Sequence, residues 1–167
     1  YYSRADGNIQ AQFRINRSTF VNTELAAIRV NVKNVESTII SKNHNNIFNL
    51  SENVPAILID EGGTPRLPWY GLGDDNFYLI DDEIEYYNKF VLEEGVILKF
   101  RSGRSLIRNS INNPIEINGT STNPVIFDGE LGTPGSWGGL FLGCGFRIDN
   151  LIIKNGGGFL LPNASEK

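Results

Sequence analysis

The chain has no methionine, one cysteine and one histidine among its 167 residues. Cys144 alone cannot close an internal disulfide, and His44 alone cannot build a multi-histidine site, so zinc and Cys–His chemistry lack ligands. No apolar run approaches the roughly 20 residues that a helix needs to cross a bilayer. Basic charge is also scarce. Fifteen Lys and Arg against 19 Asp and Glu give a net charge of −4, and the basic residues are scattered. No positive field is therefore available to hold nucleic acid or an anionic membrane. The chain opens on Tyr1, not on an initiator, and reads as a piece of something longer.

What is present is the composition of a folded protein, 40% hydrophobic and 20% charged, with length enough for one domain and a core. The apolar residues fall in short β-branched or aromatic runs closed by Gly, Asn or Asp. Examples are VLEEGVILKF (Val91–Phe100), NPVIFDG (Asn123–Gly129), GSWGGLFLG (Gly135–Gly143) and NLIIKNGGG (Asn150–Gly158). Without the 3.6-residue apolar spacing of a helix, such runs predict short strands.

The runs also recur. INRSTFVNTELAAIRV (Ile15–Val30) parallels HNNIFNLSENVPAILI (His44–Ile59) when Phe20 is laid on Phe48, 28 residues on, and Ile28 and Ile57 are then 29 apart. In the second half Phe100, Phe127 and Ile153 are separated by 27 and 26 residues, and the runs Ile115–Ile117 and Leu140–Leu142 by about the same step. A period of roughly 20–50 residues marks stacked supersecondary units. At about 3.3 Å per residue, one repeat makes a perimeter of roughly 80 Å, which suits a three-sided coil whose strands stack about 4.8 Å apart on their copies. Inward Ile, Leu, Val and Phe form its core. About twenty asparagines suit its corners, because Asn tolerates a left-handed backbone and can link corners through side-chain hydrogen bonds.

These phrases are also familiar. VLEEGVILKF, then Gly119–Thr120, Asn123–Pro124–Val125–Ile126–Phe127, Trp137–Gly138–Gly139–Leu140 and Asn155–Gly156–Gly157, resemble the repeats of right-handed parallel β-helix proteins of pectate-lyase-like architecture. Such repeats are common in secreted and surface proteins of bacteria, particularly of Bacteroidota type. Glu94 departs from the pattern, which has proline before the glycine that here is Gly95. The resemblance covers most of the chain and implies an all-β fold: a right-handed parallel β-helix, three-sided, of about five or six rungs, with one lateral loop excursion. Residues 1–61 and 77–167 supply the rungs, 62–76 the break, and the whole is read as a segment of a longer solenoid. The implied place is extracellular or on the cell surface. Function is not implied, since this scaffold serves lyases, hydrolases, adhesins and inert stalks alike.

The break, GGTPRLPWYGLGDDN (Gly62–Asn76), carries two prolines, four glycines and no period. Trp69 and Tyr70 are candidates for an aromatic platform under a sugar ring, with Asp74 and Asp75 supplying hydrogen bonds or holding a cation. The competing use is burial of the aromatic pair against a side sheet. FYLIDDEIE (Phe77–Glu85) follows, the densest acidic run. Read as a strand, it sets Asp81, Glu83 and Glu85 on one side, a candidate Ca²⁺ site, and calcium is the one cofactor suggested. The competing use is a solvated face or a guarded edge.

A lyase would add a base from Lys89, Lys99 or Arg101, and a hydrolase would pair carboxylates among Asp60, Glu61, Asp128 and Glu130. Nothing in the sequence converges these groups, and no catalytic residue is assigned. Trp137, His44 and Cys144 read as structural. The sequons at Asn16, Asn49, Asn118 and Asn163 matter only in a eukaryotic secretory route. The resulting expectation is a non-catalytic scaffold or adhesive module that displays loops to polysaccharide or another surface protein, with neighbouring rungs or a capping partner at its ends. The alternative is a polysaccharide lyase or glycoside hydrolase, and convergence of acidic and basic groups in one groove separates the two.

Overall fold

The computed structural model describes residues 15–31, 45–61, 65, 68–86, 89–108, 114–141 and 145–157, with backbone alone at 85, 86, 107 and 108. Among these residues there is no helix. Fourteen strands follow in chain order: β1 (Thr19–Val21), β2 (Ile28–Asn31), β3 (Ile47–Asn49), β4 (Ile57–Glu61), β5 (Tyr78–Ile80), β6 (Ile84–Tyr86) and β7 (Phe90–Glu93), then β8 (Ile97–Phe100), β9 (Ser105–Arg108), β10 (Ile115–Asn118), β11 (Val125–Gly129), β12 (Gly139–Phe141), β13 (Phe146–Asp149) and β14 (Leu151–Ile153). Every pairing between them is parallel. β2, β4, β5, β8, β11 and β14 form a six-stranded sheet, β7, β10 and β13 a second side, and β6, β9 and β12 a third, while β1 pairs with β3.

Parallel neighbours drawn from successive passes, with the intervening chain making the other sides, define a parallel β-solenoid of about four turns. That is fewer than the five or six rungs expected, although the long sheet gathers six strands. His44, Cys144 and Asn163 lie outside the described residues.

The first repeat takes the register that the sequence suggests. Phe20 pairs with Phe48 and Ile28 with Ile57, and the two Phe rings stack 5.1 Å apart at 10°. The second half slips against a fixed period. Phe127 does pair with Ile153, but its other neighbour is Leu98, and Phe100 lies beside Gly129. Ile115 faces Phe90 and Phe146, whereas Leu140 pairs with Leu106 on a different side, so those two runs are not copies. The cause is unequal passes. Tyr78 and its neighbour Leu98 are 20 residues apart, Ile97 and its neighbour Ile126 are 29 apart, and corners absorb the difference.

Strand alternation sends every second side chain inward. On the long sheet the inward positions from Ile28 to Phe127 are at most 8% exposed, and each fully buried Leu, Ile or Phe contributes about 1.5–3 kcal/mol. Trp137 closes one corner of this core. It is fully buried, stacks on Phe100 at 4.5 Å and 9°, and its Nε1–H donates to the Lys154 carbonyl at 2.7 Å.

Corners are set by residues that accept a left-handed backbone, among them Asn22, Asn150 and Asn155, with φ of 54°, 49° and 56°. Corner asparagines link to a neighbouring pass through their side chains, Asn155 Nδ2 donating to Asp128 Oδ1 at 2.7 Å. Asn150 Nδ2 donates to the Gly119 carbonyl at 3.0 Å, and Asn76 Nδ2 to the Phe48 carbonyl at 3.2 Å.

Gly119 is required by this proximity. A Cβ there would stand 2.3 Å from the Asn150 carbonyl oxygen and 2.8 Å from the Val125 nitrogen, both main-chain atoms. Gly119→Ala is expected to cost about 3 kcal/mol, the upper part of the overpacking range. At Gly103 the space is open and only φ of 76° opposes a side chain, so Gly103→Ala should cost about 1 kcal/mol. Urea unfolding of the two variants measures the difference, and equal losses would contradict the close approach at Gly119.

Candidate functional site

The segment entering the third pass of the long sheet contains most of the candidates. Trp69 forms a parallel bridge to Leu92: its N–H donates to the Val91 carbonyl at 3.0 Å, and its carbonyl accepts from Glu93 N–H at 2.9 Å. Pro68 to Gly71 therefore runs alongside β7 as a strand would, and alternation separates the aromatic pair. Trp69 points inward, 1% exposed, stacked on Tyr78 at 5.1 Å and edge-on to Phe90 at 5.3 Å. It has no free ring face for a sugar. Tyr70 remains half-buried on the outside.

Two contacts fix the Tyr70 backbone. Its carbonyl accepts from the Tyr78 hydroxyl at 2.7 Å. Beside it, Gly71 lies so close to the β7–β8 corner that a Cβ would meet the Gly95 carbonyl oxygen at 2.7 Å. Tyr70, Gly71, Glu93, Glu94 and Asn118 line an open groove of about 500 Å³. Asn118 Nδ2 donates to Glu93 Oε2 at 3.3 Å across the two passes.

Asp74 and Asp75 lie elsewhere. They are exposed, on a tight turn in which Asn76 N–H donates to the Gly73 carbonyl at 3.2 Å. They line a second groove of about 360 Å³ with Asn49, Glu52 and Phe77. Of the four predicted contact residues, then, one is core, one borders the first groove and two border the second.

The acidic run is not one strand. β5 ends at Ile80 and β6 begins at Ile84, so Asp81 to Glu83 form a corner, to which strand alternation does not apply. Asp82 Oδ1 accepts from Glu83 N–H at 2.8 Å within that corner. Arg101, one pass on, reaches Asp81 at 2.5 Å and Glu130 at 3.6 Å, and Arg104 stands 3.8 Å from Asp82. Among the described residues no three His, Cys, Asp or Glu side chains gather as metal ligands would. The Glu85 side chain lies outside the description.

The other candidate acids and bases are paired along the coil in the same way. Asp60 takes Arg29, Glu61 accepts from Asn31 at 3.4 Å, Asp128 accepts from Asn155 at 2.7 Å, and Lys89 meets Glu116 at 2.8 Å. Lys99 sits over the Phe77 ring, 4.0 Å from its centroid. Among the described residues, acidic and basic groups meet as ion pairs between successive passes.

Sequence reasoning missed Glu93 and Asn118. Both occupy the last position of a strand before a corner, and they are register partners. The shared phrases Leu92-Glu93 and Ile117-Asn118 carry that signal only once the 25-residue step between them is known. No protein-family model matches the chain, and no curated protein or solved structure shows significant similarity to it. Among the described residues no helix is long and apolar enough to cross a membrane.

Burial pushes the Tyr78 phenol well above its usual 10.0. Because the unfolded chain releases this proton first, the stability linked to Tyr78 is intact below about pH 10 and is lost as pH rises beyond it. Unfolding free energies measured across that range should fall with pH, and Tyr78→Phe should flatten the decline while costing about 1 kcal/mol for the lost hydrogen bond. An unaltered slope would contradict the buried phenol. For the corner, calcium titrated into the millimolar range should leave the melting temperature unchanged, and Asp81→Asn should cost at most about 1 kcal/mol, as for an exposed ion pair. Calcium-induced stabilisation abolished by Asp81→Asn would overturn the ion-pair account.

Proposed function

We propose that this chain is a non-catalytic display module, a rigid β-solenoid that presents the Tyr70 groove to a saccharide at the cell surface or outside the cell. The observation that carries the reading is the fixed position of Tyr70. A partly buried aromatic residue packed against the core, on a backbone held by Tyr78 and by the Gly71–Gly95 approach, beside the Glu93 carboxylate and the Asn118 amide, joins apolar and hydrogen-bonding groups on one rigid wall. Sugar rings are recognised by that combination. The ion pairing of Asp81 with Arg101 and of Asp82 with Arg104 favours display over lyase chemistry, because these acids are engaged with bases already. The resemblance to secreted and surface β-helix repeats of bacteria supports the location.

The test has two arms. Binding to a panel of immobilised neutral and acidic polysaccharides should reveal a ligand whose affinity falls about tenfold or more in Tyr70→Ala, the loss of one aromatic contact. Asp74→Asn and Asp75→Asn should leave that affinity unchanged. Turnover on the same panel, followed by ultraviolet absorbance of unsaturated ends and by reducing sugar, should give no product with or without calcium. Product formation would establish the lyase or hydrolase alternative, and binding indifferent to Tyr70→Ala would move the contact away from this groove.

A further inference from the structure

We infer that the Tyr70 groove selects saccharides that carry a free, protonated amino group, an inference that rests on the saccharide reading of that groove. The coil places the groove residues in one outward row. The bridge of Trp69 to Leu92 sets Tyr70 beside Glu93, and strand register sets Glu93 beside Asn118 and Asn118 beside Asp149. With passes about 4.8 Å apart, neighbouring members of this row reach the same ligand ring. Glu94, exposed, adds a second carboxylate to the lining.

The chemistry of this wall is one-sided. Among the described residues Asp81, Glu116 and Asp149 each take a base, whereas neither Glu93 nor Glu94 does. Glu93 accepts from the Asn118 amide at 3.3 Å, a neutral donor that leaves the carboxylate charge uncompensated and the amide carbonyl as a further acceptor. No Lys or Arg lines the groove, and Arg147, at the far end of the row, is engaged by Asp149 at 2.9 Å. A uronate would bring like charge to a wall with nothing to balance it. Neutral hydroxyl groups supply donors but no charge. An ammonium group supplies both, and an aromatic face beside a carboxylate is a pairing that holds such cations.

Calorimetric titration with glucosamine oligomers, and with the same oligomers fully N-acetylated, tests this at a mildly acid pH that keeps the free amines protonated. The amine form should bind about tenfold or more tightly, the contribution of one charge-assisted hydrogen bond, and added salt should narrow the margin. Glu93→Gln, which keeps an acceptor for Asn118, should reduce the margin to about threefold or less. Equal or tighter binding of the acetylated form, or competition by oligogalacturonate, would overturn the inference and leave the display reading in place if Tyr70→Ala abolishes that binding. Absence of binding to any glycan would remove both. Polylysine as effective as the amine oligomers at equal amine concentration would also overturn it, because the groove would then read charge and not a sugar. A margin indifferent to Glu93→Gln would do the same. Should that variant fail to fold, the unaltered chain still decides, since the margin must vanish as pH rises and the sugar amines lose their protons.

Discussion

Main-chain hydrogen bonding from one pass of the coil to the next is the constraint on which the rest of this structure depends. Strands of three to five residues are too short to be stable alone, and each finds its partners only in the pass before and the pass after. Once that register is set, inward positions become continuous apolar rows and outward positions become continuous polar ones. The rule acts even where no extended strand exists. Trp69 is tied to Val91 and Glu93, and those two bonds decide that its ring enters the core while that of Tyr70 stays at the surface.

The polar rows follow the same logic. Arg29 with Asp60, Asp81 with Arg101, Arg101 with Glu130, and Lys89 with Glu116 all join residues that alignment of passes has made neighbours. Each such pair has at least one side chain that is 42% or more exposed and adds little stability. Together they penalise slippage, because a shift of one residue exchanges inward for outward side chains and parts every charge from its partner.

Much of the fold was legible because the first two passes are nearly equal in length, so Phe20 on Phe48 and Ile28 on Ile57 could be found by alignment. The match of Phe100 with Phe127 failed because insertions at corners change the step without changing the strands. Trp69 was hard to place because prolines and glycines around it mask a position that is strand-like only through its neighbour β7. The acidic corner was hard for a different reason. Local alternation predicts sides only inside a strand, and the partners of Asp81 and Asp82 stand on the following pass, at a distance along the chain that composition does not encode. Glu93 and Asn118 were invisible for the same reason.

The orientation of those inter-pass hydrogen bonds also sets how the molecule bears load. They lie along the coil axis, while the covalent chain runs around it. A pull along the axis meets the bonds of one pass at a time, and the coil opens like a seam from whichever end is held. A sideways push meets whole sheets, covalent backbone and the packed Phe100–Trp137 corner together. The chain is thus stiff against bending and comparatively weak against stretching.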